Sequence, residues 1–531
     1  MTQSSSSQES KLFQQLQAQL RDRWPEIRDE GDGNTDILVV PSFSVDQQEL
    51  KKIDGYLHYE ERMLFSLIRL RHPRTRLIFV TSQPVAQIVI DYYLQLLPGI
   101  PFSHARDRLL LLPIHDQSLK PLSQKLLERP RLLARIKQAL RPNSSYMVCF
   151  NSTPWEQALS VQLNIPLLAA DPNLLHLGTK SGSRKAFADC QIPHPDGSEL
   201  VWDVAALSLE AAQLWTRNPD LKRIVIKLNE GFSGEGNAIL KLDTAIGQAS
   251  LEAKHQYIQE ALPHIQFESD VESWEHYASR IPELGAIVEA FIEGEIKRSP
   301  SVQGQINPDG TVEVLSTHDQ ILGGPSQQIY LGCHFPADPA YRLAIQDYGR
   351  RIGEYLGQLG VLERYGVDFV TVQDPDTNHW SVHAIEINLR KGGTTHPFMT
   401  LKLLTNGHYN PQDSLFSGQQ GSAKYYVATD NLQKPQYQGL LPADLMDIIA
   451  HHHLHFETGS EIGTVFHLMG CLSEFGKLGM TSIGNSPEEA KAIHEKVLKV
   501  LEHETTGTYS ERSHHSHHTA PISWYGNELV P

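Results

Sequence analysis

The stretch His383 to Pro397 reads HAIEINLRKGGTTHP, and its spacing organises the reading of the chain. In an extended strand alternate side chains share a face, so Glu386, Asn388 and Arg390 point the same way. A carboxylate and an amide oxygen are hard ligands suited to Mg²⁺, which keeps contacts to substrate phosphates. A guanidinium two residues on can hold a phosphate or a carboxylate through two parallel bonds. Gly392 and Gly393 let the chain turn just past the strand. A polar edge strand ending in a turn is the bland alternative.

Upstream, Tyr365-Gly-Val-Asp-Phe-Val370 reads as a strand and Asp374-Pro-Asp376 as a turn, so the chain returns through Trp380 to the opening strand. That antiparallel pair carries Asp368 on one arm and Glu386 and Asn388 on the other, a plausible cage for a divalent ion. Farther upstream two lysines stand out. Lys180 precedes a polar segment leading into a helix, and Lys227 ends the strand Arg223 to Lys227. A lysine at a strand end can neutralise phosphate as a point charge. The segment Asn229 to Gly236, NEGFSGEG, has the glycines and serine of a loop whose amides approach a phosphate closely. Gly285 to Glu295 then runs as an apolar strand into EAFIEGE, a candidate hinge against a purine with a carboxylate for the ribose. Val302–Ile306 and Thr311–Ser316 flank Asn307-Pro-Asp-Gly310, a strong hairpin signal.

The chain has 531 residues, 40% hydrophobic and 20% charged, as in a globular protein of several domains. A net charge of −16 disfavours nucleic acid and anionic membrane surfaces as partners. The four cysteines show no metal or CxxC spacing, and no apolar run reaches membrane-span length, so a cytoplasmic protein is expected.

Residues 1–33 are expected to be disordered or frayed, apart from a short helix at Lys11 to Arg23. Over residues 34–170 short apolar runs (Ile37–Val40, Leu77–Val80, Leu109–Leu112, Tyr146–Phe150, Pro166–Ala169) alternate with helical patterns, which predicts a Rossmann-like parallel sheet. Thr153, Pro154 and Glu156 make a capping-box start for one helix. The first strand is followed by no GxGxxG, so a dinucleotide site is not supported. The charges of Leu57-His-Tyr-Glu-Glu-Arg62 read as a solvated helix start. Residues 411–504 read as a small C-terminal domain, and 505–531 as a disordered His-rich tail. His451, His452, His453 and His455 read as a helix end rather than a zinc site.

The order of these features resembles the ATP-grasp superfamily, which includes biotin carboxylase and D-alanine–D-alanine ligase. The likeness is greatest to the peptide ligase of pheganomycin-type biosynthesis and its relatives, in KSGSRKAFADCQIPHPDG, GFSGEGNA, SPSVQGQINPDG, STHDQIL and EINLRKGGTTHP. It implies a multidomain α/β and α+β protein: a Rossmann-like domain, an ATP-grasp fold over 171–410 and a small C-terminal domain. It implies ATP and Mg²⁺, or Mn²⁺ in its place, as cofactors. Lys180 and Lys227 would hold the phosphates, with Ser233, Gly234 and Gly236 in the loop above them. Glu289, Phe291 and Ile292 would meet the adenine, and Glu295, or its rival Glu293, the ribose. Asp368, Glu386 and Asn388 would hold metal; some members carry Glu where Asp368 stands. Arg390 would act in catalysis on the γ-phosphate or acyl phosphate, with Lys227. His318, Gln320 and His396 would lie near the acceptor or the carboxylate. The implied activity joins a small-molecule carboxylate to an amine or short peptide through an acyl phosphate, releasing ADP and phosphate. The alternatives are a carboxylate kinase or carboxylase-like enzyme with a non-amine acceptor, or a non-catalytic nucleotide-binding regulator.

Overall fold

A computed structural model describes the chain except residues 1, 2, 29–32, 46, 98, 231–235, 268–271, 324–328 and 507–531. Ser233, Gly234 and the His-rich tail lie outside the described residues.

The apolar runs near the N-terminus form a four-stranded parallel sheet in the order Leu109–Pro113, Thr75–Thr81, Thr35–Val40, Ser145–Cys149. Val39, Val40, Phe79 and Val80 are fully buried, as expected where both faces of a parallel sheet are covered. Pro166–Ala169 is not a fifth strand; only Leu167 bridges to Met147. Strand order reverses between Thr35–Val40 and Ser145–Cys149, the place where such sheets open a crevice. There the amide of Asn151 donates to Ser44 O at 2.7 Å, and its Oδ1 accepts from Ser44 N at 2.9 Å.

The N-terminal expectation is corrected. Gln3–Arg28 is one helix, with Phe13, Leu16, Leu20, Trp24 and Ile27 buried. Their three- and four-residue spacing makes an apolar stripe that the intervening Gln and Arg residues disguise. The helix Pro154–Leu163 does begin at Thr153, whose hydroxyl accepts from Trp155 N. Glu156, however, accepts from the hydroxyls of Thr153 and Ser44 instead of closing a capping box on the backbone.

Two antiparallel sheets follow. The smaller runs Gln266–Phe267, Asn237–Lys241, Arg223–Leu228, Ala286–Ala290. Buried Trp215 and Tyr277, from flanking helices, fill its apolar core. The larger has eleven strands and begins Trp380–Asn388, Glu363–Gln373, Pro300–Ile306, Val312–Gly323, Ile329–Phe335, Ala423–Gln433. Helix Arg342–Gln358 packs on it through Ile345, Ile352 and Leu356. C-terminal strands Gly463–His467 and Lys477–Gly484 join this same sheet through Ala423–Gln433. Residues after 411 thus continue the large sheet, and Tyr437, Phe466 and Leu501 share one core with Leu20, Phe79 and Tyr93.

Candidate functional site

A cleft of about 810 Å³ lies where the three sheets face one another. It takes Lys227 and Glu289 from the small sheet, Phe291, Ile292 and Glu295 from the segment that follows Ala286–Ala290, Asp368, Glu386 and Asn388 from the large sheet, and Arg390 from just beyond the Trp380–Asn388 strand. Phe150 comes from the switch point of the parallel sheet.

The Trp380–Asn388 strand places its side chains by register. Asp368 pairs directly with Glu386, and Gly366 with Asn388. Directly opposed residues share a face, so two carboxylates and an amide converge. A bulge between Asp368 and Phe369 interrupts the ladder, which resumes with Phe369 opposite Ala384. The Asn388 amide donates to Asp368 Oδ2 at 2.9 Å, and the Gln320 amide to Oδ1 at 2.6 Å. Burial, and then the charge of Glu386, push the Asp368 carboxyl up to about 6. Two carboxylates held face to face repel, and a cation between them relieves that repulsion. Burial lowers Arg390, with Glu386 and Asp368 opposing and Arg62 adding to the effect.

Lys180 opens the helix Lys180–Asp189, where the Thr179 hydroxyl accepts from Gly182 N. Two bonds fix that helix start to the loop after Lys227: Lys180 N donates to Asn229 O at 3.1 Å, and Ser181 N to Asn229 Oδ1 at 2.9 Å. Ile387 N donates to Ser183 Oγ at 2.9 Å, tying the helix to the metal-candidate strand. The Lys180 ammonium therefore reaches Glu386 Oε1, 2.5 Å away, and is only 6% exposed.

Lys227 does not sit free at a strand end. Its ammonium is buried 2.5 Å from Glu289 Oε2, while Arg184 contacts Glu289 Oε1 at 3.0 Å. Burial alone would raise Glu289; Lys227 and Arg184 override it and hold the carboxyl below its usual range. The Glu289 side chain is thus engaged by two cations. Phe291 has the Arg223 guanidinium 3.8 Å from its ring centroid and Lys297 Nζ 4.4 Å away. Of the rival carboxylates, Glu293 pairs with Arg223 at 2.5 Å, and Glu295 lines the cleft.

Gly236 is among the described residues, and its carbonyl accepts from Tyr277 Oη at 2.9 Å. Two polar residues assigned to the acceptor lie elsewhere. His318 is fully buried 2.6 Å from the Tyr426 hydroxyl, and His396 Nε2 meets His467 Nε2 at 2.8 Å. Burial drives His318 down to about 3 and His396 well below its ordinary range, so both pack as neutral rings. Gln320 alone of those three reaches the cleft. At His452 the ring meets Glu504 Oε1 at 2.8 Å. Among the described residues no three His, Cys, Asp or Glu converge as a metal cluster.

The sequence reading missed Arg62. Tyr56–Arg71 is a 3₁₀ segment that buries Glu60 and Glu61, not a solvated helix start. It projects Tyr59 and Arg62 into the cleft, where Arg62 pairs with Asp430 at 2.6 Å. Apolar spacing around Met63, Leu64, Leu67 and Ile68 was the available signal that this segment is buried.

Known proteins resemble this chain in sequence and in fold. The model for the IQCH-like ATP-grasp family matches residues 172–264 and 244–412, and that for the PGM1 C-terminal domain matches 444–497. An L-propargylglycine–L-glutamate ligase of Streptantibioticus cattleyicolor is 30% identical over 90% of this chain and 95% of its own length. The IQ motif-containing protein H of Danio rerio is 24% identical over 71% of this chain, which spans 40% of that longer protein. In fold, the biotin carboxylase domain of Hydrogenobacter thermophilus 2-oxoglutarate carboxylase, solved with MgADP, ADP and bicarbonate, matches at a TM-score of 0.52. It is 12% identical, over 88% of this chain and 89% of that one. Campylobacter jejuni biotin carboxylase matches at 0.50 and 11% identity, over 88% and 91%. Among the described residues no helix is long and apolar enough to cross a membrane. The chain belongs to the ATP-grasp superfamily, as an ATP-dependent carboxylate–amine ligase.

Proposed function

We propose that the cleft activates the carboxylate of one amino acid as an acyl phosphate and passes the acyl group to the amine of a second, releasing ADP and phosphate. The observation that carries this reading is that one cleft holds Lys227, Arg390 and the Asp368, Glu386 and Asn388 face, with Lys180 paired to Glu386. Amino acids on both sides follow from the likeness to the L-propargylglycine–L-glutamate ligase.

Lys227 and Lys180 hold the ATP phosphates. In the free protein each is paired to a carboxylate, Glu289 or Glu386; phosphate binding exchanges those partners, and buried cations lose no charge compensation in the exchange. Backbone groups at Phe291 and Ile292 meet the adenine and Glu295 the ribose. Ser233 and Gly234, with Gly236, are assigned to the phosphates on sequence alone. Asp368, Glu386 and Asn388 fit Mg²⁺ or Mn²⁺: two carboxylates, one pushed toward its neutral form by burial and then by the charge of the other, and an amide would leave positions for phosphate oxygens and water. An ion held there would supply charge neutralisation to the ATP phosphates. Arg390 holds the transferring phosphoryl group, a task of positioning and charge stabilisation. The substrate carboxylate oxygen attacks the γ-phosphorus and ADP leaves. The amine then adds to the acyl carbon, phosphate departs with its bonding pair, and the nitrogen gives up one proton, which the released phosphate can carry.

Glu386→Gln tests the assignment: it lowers substrate-dependent ADP release by about 10²-fold or more, with the amide product followed by mass spectrometry. AMP and pyrophosphate as products, or a variant equal to wild type, contradict the reading.

A further inference from the structure

Besides the nucleotide residues, the cleft is lined by two parts of the chain far apart in sequence. Tyr59 and Arg62 come from the 3₁₀ segment, and Asp430 and Lys477 from C-terminal strands. Arg62 and Asp430 are 11% and 4% exposed, yet both border open space. The Arg62 guanidinium lies 3.9 Å from the Tyr59 ring centroid. Lys477 donates to the Tyr59 hydroxyl at 2.9 Å, which fixes that ring beneath it.

The pair is not saturated. Among the described residues Arg62 Nε has no hydrogen-bond partner, and the 2.6 Å contact at Asp430 Oδ2 lacks hydrogen-bond alignment. A carboxylate buried in an ordinary structural bridge takes its full complement of donors. Arg62 and Arg390 line the same cleft. Two guanidiniums that repel across a cleft favour an anion between them, and the carboxylate beyond Arg62 favours a cation. The wall therefore presents a positive-then-negative sequence at the scale of one zwitterion.

We propose that Arg62 and Asp430 are the headgroup site of the activated amino acid: Arg62, with Arg390, takes its carboxylate, and Asp430 takes its ammonium group. Binding replaces one imperfect internal pair with two matched external ones. This rests on the ligase reading above and adds to it the residues that select an amino acid over a simple acid.

Hydroxylamine tests the site without the natural amine, because it captures an acyl phosphate as a hydroxamate with release of phosphate. The probes are the twenty proteinogenic L-amino acids and L-propargylglycine, each against its deamino acid. The wild type is expected to favour the amino acid at least tenfold in kcat/KM. Asp430→Asn abolishes that preference, and Arg62→Gln raises the amino-acid KM at least tenfold. KM for ATP stays within about twofold in both, and unchanged ADP affinity by calorimetry shows that the variants are folded. A merely structural pair would not move the ratio between amino acid and deamino acid. Retained preference in Asp430→Asn, or equal use of both acids by the wild type, overturns the site while leaving the ligase standing. Absence of hydroxamate with every probe overturns both.

Discussion

At the scale of single residues the cleft is governed by charges that already have partners. Lys180, Lys227, Arg223 and Arg62 are each within ion-pair distance of a carboxylate. Phe291 stands apart, because its ring carries the Arg223 guanidinium at 3.8 Å and Lys297 at 4.4 Å while lining the cleft. A ring held by two cations is a fixed wall for a flat base, worth about 1 kcal/mol beyond its area. Phe291→Ala should therefore raise KM for ATP about tenfold, which is ~1.4 kcal/mol, and leave kcat within about twofold. Steady-state kinetics with varied ATP checks this. An unchanged KM would move the base away from Phe291, to a site the ring does not border.

At the scale of elements, the helix Arg342–Gln358 shows how closely the large sheet is fitted. Gly353 would look replaceable, since alanine in a helix interior is favoured over glycine by about 1 kcal/mol. A β-carbon there would lie 2.2 Å from Tyr365 Oη and 2.6 Å from its Cζ. Tyr365 is fully buried and donates to Gly349 O at 2.9 Å, so it has no room to retreat. Overpacking of that kind costs about 1–3 kcal/mol and outweighs the propensity gain. Gly353→Ala is expected to lower the melting temperature, and Tyr365→Phe in the same chain to recover part of the loss. A higher melting temperature for the single variant would show that the strand yields. The same closeness explains what the sequence revealed. Glu386, Asn388 and Arg390 were legible because a period of two needs no tertiary knowledge, and the Asn307–Gly310 hairpin because its turn chemistry is local. Asp430 was illegible because it lies inside a strand, and only the pairing of Ala423–Gln433 with Ile329–Phe335 and Lys477–Gly484 brings it to the cleft. His318 misled for the converse reason: a polar residue in a strand suggests a site, but Tyr426 gives it a partner in the core. Arg62 was read as solvated because the charges of Glu60, Glu61 and Arg62 masked the apolar spacing of Met63, Leu64, Leu67 and Ile68 that follows them.

At the scale of the molecule, Glu60 is the joint between the parallel sheet and the cleft. It sits on the segment that carries Tyr59 and Arg62. It accepts from Ser82 N at 2.6 Å and Ser82 Oγ at 2.7 Å at the end of the Thr75–Thr81 strand. Lys125 donates to the same Ser82 hydroxyl at 3.0 Å. Burial pushes the Glu60 carboxyl up to about 7, against Ser82, Lys125 and His58. An acid whose pKa rises on folding binds its proton more tightly in the native state. Its contribution to stability is consequently greatest below the unfolded value of 4.5 and is lost as pH rises through 7. Glu60→Gln removes this titration and leaves every other group in place, so the difference between variant and wild type isolates it. Going from pH 8 to 5.5, the stability of the variant relative to wild type should fall by on the order of 1–2 kcal/mol, measured by urea unfolding at the two pH values. A difference that stays constant would mean that Lys125 keeps Glu60 ionised throughout. The joint would then be a permanent ion pair, and the wall carrying Arg62 would be equally firm at both pH values.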